Sequence, residues 1–113
     1  MKPSSLDVTG FVEELLEALT KIEGIQSVSV HAEGPTVKGQ AFLSKEKFLA
    51  FYYNQMTGTQ AFALVDKNKR IWGIDYDNMR GWHIHSVEAP ERHQRIEKQT
   101  ITQIIEKFGW IVQ

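Results

Sequence analysis

The chain has 113 residues, enough for one domain with its own apolar core. Its apolar share of 42% and charged share of 24% are those of an ordinary folded globule, and a net charge of −1 excludes a polyelectrolyte binder of nucleic acid. Cysteine is absent, which excludes disulfides, thiolate catalysis and cysteine-ligated zinc.

The first clear element is Phe11–Ile22. Phe11, Leu15, Leu19 and Ile22 recur at helical spacing, Val12 and Leu16 widen the stripe, and the acidic outer face is a solvated surface. Asp7 or Thr9 suits the N-cap, and Gly24 is expected to end the helix. Val28–Ala32 alternates as a strand, Gly34-Pro35 turns the chain, and Thr36–Leu43 is a second strand weakened by Gly39. Phe48–Asn54 is short and aromatic, which favours strand over helix. After Thr57-Gly58-Thr59, the nearly continuous apolar run Gln60–Val65 predicts a central strand. Asp66–Lys69 is a hairpin loop and Arg70–Tyr76 the returning strand.

Asn78 and Gly81 mark the next turn, and Trp82–Val87 forms the strand after it. Pro90 breaks pairing, and Glu91–Gln99 is too polar to assign. Thr100 with Gln103 has the form of a capping box. Ile101, Ile104, Ile105 and Phe108 then make a helical face, with Gly109 expected to end it. Strands in series between two helices predict a single α+β domain over residues 1–113. It is a two-layer sandwich whose antiparallel meander has about five to six strands. Phe62, Leu64, Trp72, Ile74, Ile84, Leu15, Leu19, Ile104 and Phe108 are the expected core, and Trp82 and Trp110 are also assigned there rather than to a base-stacking platform.

Chemistry concentrates in Asp75–His85, which holds two carboxylates, an amide, a guanidinium, a glycine and two imidazoles. Side chains alternate along a strand, so His83 and His85 share one face and Trp82 and Ile84 the other. Two imidazoles roughly 6.5–7 Å apart can act as acid and base or as two metal ligands. Arg80 can fork a phosphate, and Asp75 or Asp77 can orient an imidazole. Each feature also has a plain explanation. An H-x-H pair can be two surface histidines, Asp77, Asn78 and Gly81 suit turn geometry alone, and Arg80 suits a solvated turn. His31 stands alone in its strand and reads as structural, while His93 is either a third site histidine or a surface group.

Ile74-Asp75-Tyr76-Asp77-Asn78, then Arg80-Gly81 and His83-Ile84-His85, resembles the signature of the TumE-like family, small toxins of bacterial and archaeal toxin–antitoxin pairs. There a strand ends in Tyr-Asp-Asn or Trp-Asp-Asn, a glycine often follows, and an H-x-H comes shortly after. The resemblance covers roughly residues 60–109, includes a short closing helix, and carries over Asp77, Asn78, Gly81, His83 and His85. It implies growth inhibition by RNA cleavage, with a protein antitoxin as partner.

Three functions compete. The first is a metal-independent ribonuclease without cofactor: His83 and His85 as acid and base, Asp77 orienting one of them, Arg80 stabilising the phosphate, and Asn78, Arg92 and His93 binding substrate. The second is a metal-binding protein or metal-dependent hydrolase using His83, His85, Asp75 and His93. The third is a non-catalytic interaction module. RNA or an antitoxin is the expected partner, a homodimer is compatible with the chain, and a cytoplasmic location without membrane contact follows from the lack of a signal-like or spanning run.

Overall fold

The computed structural model describes residues 6–113. Helix α1 (Val8–Leu19) is followed by seven strands: β1 (Ser27–Glu33), β2 (Thr36–Phe42), β3 (Lys47–Asn54), β4 (Gln60–Asp66), β5 (Lys69–Asp77), β6 (Gly81–His85) and β7 (Gln94–Arg95). Helix α2 (Ile101–Val112) closes the chain. The strands form one antiparallel sheet in chain order, so the α+β meander expected from the sequence is present, with one strand more. No helix among the described residues is long and apolar enough to cross a membrane.

Both helices lie on one face of the sheet. That face carries Val37, Ala41, Leu49, Phe51, Tyr53, Phe62, Leu64, Trp72 and Ile74, all buried. Phe11 of α1 stacks on Tyr53 at 4.5 Å, and Phe108 of α2 packs on Trp72 at 6.5 Å. The Tyr53 hydroxyl donates to the Leu6 carbonyl at 2.6 Å, tying the α1 entry to β3. Eight of the nine expected core residues are buried; Ile84 is half-buried but packs on the cluster. Trp110 departs from expectation: it sits on the outer side of α2, 72% exposed.

The helix boundaries moved for local reasons. Asp7 caps α1 by accepting from the Gly10 amide at 2.8 Å, so the helix starts three residues before Phe11. It ends at Leu19, because Lys21 and Ile22 bond back to Ala18 and Leu19 in tighter turns. Gly24 therefore serves a later bend, at φ 97°, rather than the cap. Helix α2 runs through Gly109 to Val112. Gly109 is there for space: a Cβ would stand 2.7 Å from Ile22 Cδ1. The Thr100–Gln103 capping box forms in both directions. Lys67 and Asn68 both take positive φ (52° and 69°), as a two-residue turn between twisted strands requires.

Gly39 answers to packing. A Cβ on it would run into the Ser29 carbonyl oxygen and stand 2.6 Å from Phe51 Cζ. Gly39→Ala is therefore expected to destabilise by about 1–3 kcal/mol, the cost of overpacking, since backbone cannot swing aside. A lowered urea midpoint at unchanged slope checks this; an unshifted midpoint would show that β1 can give way.

Candidate functional site

The sheet face away from the helices holds the chemistry. Pairing sets Asp75 opposite His83 and Gly73 opposite His85. Trp82 and Ile84 point to the helix side opposite Tyr76 and Ile74, so the imidazoles share the face that alternation assigns them. They are not exposed, however: His83 is 3% and His85 6% accessible. Residues 86–93 fold back over them, with Ala89 bonding Ser86 and Arg92 bonding Ala89. The chain then adds β7, which pairs Gln94 with Ile84 and Arg95 with His83. That pairing carries the preceding residue, His93, to the imidazole pair. Ring centroids are 5.4 Å apart for His83–His85, 5.1 Å for His83–His93 and 4.4 Å for His85–His93.

Hydrogen bonds decide which nitrogens face inward. His83 Nδ1 lies 3.2 Å from the Gly81 carbonyl oxygen, and His85 Nδ1 lies 2.8 Å from that of Pro90. A carbonyl only accepts, so each Nδ1 carries a proton and, in the neutral ring, each Nε2 presents a lone pair. Both Nε2 atoms are buried and, among the described residues, have no hydrogen-bond partner. Each lies 3.5 Å from Asp75 Oδ2, and Asp75 Oδ1 is likewise buried and unpartnered. Asp75 Oδ2 accepts from Arg70 Nη2 at 2.9 Å. One ligand atom from each of His83, His85 and His93 falls within 4.8 Å of the others.

Arg70 reaches this face through an irregularity. The β4–β5 register shifts between Leu64 and Val65, so that Leu64 pairs with Trp72 but Val65 with Arg70. The extra residue, Ile71, flips the alternation and puts Arg70 on the side of Asp75, as bulges next to functional sites often re-aim a side chain. Gly73 lets the guanidinium lie against the strand, since a Cβ there would stand 2.8 Å from Arg70 Nε and 2.7 Å from the Phe62 carbonyl oxygen.

The turn residues are placed elsewhere. Asp77 Oδ1 accepts from the amides of Met79 (2.9 Å) and Arg80 (2.7 Å), and its Oδ2 accepts from Arg80 Nε at 3.2 Å. The Arg80 amide, with that of Met79 and the Arg80 charge, holds Asp77 below the ordinary carboxylate range. Asp77 and Arg80 thus close the turn on each other, and no hydrogen bond or ion pair joins either to the imidazoles among the described residues. Gly81 takes φ 73°, as expected of it, while Asn78 stays out of the left-handed region and its Oδ1 accepts from the Tyr76 hydroxyl at 3.2 Å. Arg92 is exposed on the covering loop. His31 is exposed on β1, 3.7 Å from Glu33.

Neither a protein family, nor a curated protein, nor a solved structure matches the chain. Geometry and electrostatics alone bear on what the site does. Burial pushes the His85 pKa below its ordinary 6.5; the bond to Pro90 and the Asp75 charge oppose this, while Arg70 and His93 add to it. A folded-state value below the unfolded one stabilises the fold above about pH 6.5, and that stability is lost as pH falls through the folded value. The metal-free protein is expected to lose urea resistance as pH falls below about 6.5, and His85→Gln should shrink that loss. An equal loss in the variant would assign the effect to other groups.

Proposed function

We propose that this protein binds one divalent transition-metal ion through His83, His85 and His93, with Asp75 as the fourth donor, and that its function depends on that ion. The carrying observation is the convergence of the two unpartnered Nε2 atoms on Asp75 Oδ2 at 3.5 Å each. With neutral rings, three lone pairs meet there without a proton to share. Metal–ligand bonds of 2.0–2.2 Å in a tetrahedron imply ligand–ligand edges of roughly 3.3–3.6 Å. The two Nε2–Oδ2 distances have that spacing and are longer than a hydrogen bond, while the three histidine atoms, within 4.8 Å of one another, would draw in around an ion. The Nδ1–H bonds to Gly81 and Pro90 are the outer contacts that fix the tautomer of a ligating histidine. Three imidazoles with one carboxylate suit zinc, the absence of thiolate notwithstanding.

Such an ion can polarise a carbonyl or phosphoryl oxygen or activate a water, so metal-dependent hydrolysis is the reaction class we assign. The metal-free ribonuclease uses the same pair as acid and base. Against it stand the loop over both rings and the engagement of Asp77 and Arg80 in the turn. The toxin role rests on the resemblance over roughly residues 60–109, whose motif residues lie within 74–85, and is compatible with either chemistry. Metal analysis of protein purified without chelator, followed by titration of the stripped protein, tests the proposal. One zinc per chain is expected, with little binding to His83→Ala or His93→Ala. No stoichiometric metal, together with RNA cleavage indifferent to EDTA, would return the assignment to the paired imidazoles.

A further inference from the structure

Beside the imidazole cluster, the open sheet face encloses a hollow of about 580 Å³, with Asp75 and Arg70 in its wall. That volume falls within the roughly 300–1,000 Å³ typical of small-molecule sites. The hollow exists because Ala50, Ala61 and Ala63 stand where larger side chains would fill it. Register places Lys38, Tyr52, Ala61, Asp75 and His83 in one cross-strand row. Strands lie about 4.8 Å apart, so Lys38 sits some 14 Å across the sheet from Asp75.

The charge in the wall is unbalanced. Asp75 is the one carboxylate among the lining residues, and it is already bonded to Arg70 and turned toward the imidazoles. Lys38 and Arg70 both line the hollow. Arg70 makes no other hydrogen bond among the described residues, and its side chain is 36% exposed. A guanidinium has five donors in a planar fork matched to paired oxygens, so most of this one is free to bind.

We propose that the hollow binds a small organic oxyanion with a flat apolar body, its anionic group forked by Arg70, its body on the alanine floor, and Lys38 supplying positive charge from the far wall. Such a ligand would have its anionic end beside Asp75, within reach of the metal. Only that adjacency rests on the metal proposal; the shape and charge of the hollow do not.

The test uses ¹⁵N-labelled full-length protein, stripped and zinc-loaded, titrated with benzoate, phenyl phosphate and neutral benzamide. Saturable shifts of the Ala50, Ala61 and Ala63 amides are expected with at least one anion, about tenfold tighter or more than with benzamide. Whichever anion binds better separates carboxylate from phosphate chemistry. Ala50→Leu fills the floor and Lys38→Gln removes the distal charge; each should weaken the anion about tenfold while zinc titrates as in wild type, which also reports that the variants are folded. Anions binding no tighter than benzamide, shifts mapping outside the hollow, or indifference to Ala50→Leu would overturn the proposal. Anion binding in a protein that takes up no zinc would keep the hollow and sink the metal centre. Zinc binding without anion binding would do the reverse.

Discussion

Zinc should raise the melting temperature of the stripped protein by on the order of 15 °C once free metal reaches about a thousand times its dissociation constant. A ligand that binds only the folded chain stabilises by about 4 kcal/mol at that ratio, and a chain of this length gains roughly 4 °C per kcal/mol. The rise should be largely lost in His83→Ala and in His93→Ala, because each removes a ligand. Loss even of an outer-shell partner costs roughly 10–100-fold in affinity, and losing a ligand should cost more. Asp77→Asn is the control: Asp77 is occupied by the Met79 and Arg80 amides, so it should leave the zinc-induced rise intact. Scanning calorimetry with and without zinc on these four proteins reads the result. A rise retained in both histidine variants would place the metal elsewhere or show binding to be non-specific.

Phe108→Ala should destabilise by about 3–5 kcal/mol, a large share of a total that for domains of this size is about 5–15 kcal/mol. Phe108 is fully buried and packs its ring against Trp72, so truncation leaves a void between α2 and the centre of the sheet. Trp110, two residues on and 72% exposed, is the comparison: Trp110→Ala should stay within about 0.5 kcal/mol. Chemical denaturation of both variants settles this, and similar midpoints would mean that the Phe108 site collapses around the missing ring.

Much of this architecture was legible because the signals are local. Alternation in β1, the aromatic run of β3, the apolar run of β4, the Asp66–Lys69 turn and the Thr100–Gln103 box each fix an element from neighbouring residues alone. The facing of His83 and His85 followed from the same period of two. What escaped depended on pairing. β7 is two polar residues, Gln94 and Arg95, held only by hydrogen bonds to β6, so no pattern of side chains announces it. With it went the settled position of His93 and the burial of the imidazoles beneath residues 86–93. Arg70 was missed for another reason: it stands five positions before Asp75, an odd interval that puts two side chains on opposite faces of a regular strand. A bulge that cannot be seen without its partner strand reverses that. Gly109 has the form of a stop signal in the sequence, although its lack of a side chain serves the approach of Ile22.

The strictly sequential strand order governs how the chain finds its fold. Each strand pairs with its neighbour in the chain, so each hairpin closes a short loop and costs little chain entropy, which favours fast zipping for a sheet of this size. The contact of greatest sequence separation is that of α1 with α2, residues 8–19 against 101–112. Closing that separation costs the most chain entropy, so the helices are expected to latch over the sheet after the strands between them have lined up. Phe11 on Tyr53 and Phe108 on Trp72 are then expected to act late, so that losing either speeds opening more than it slows assembly.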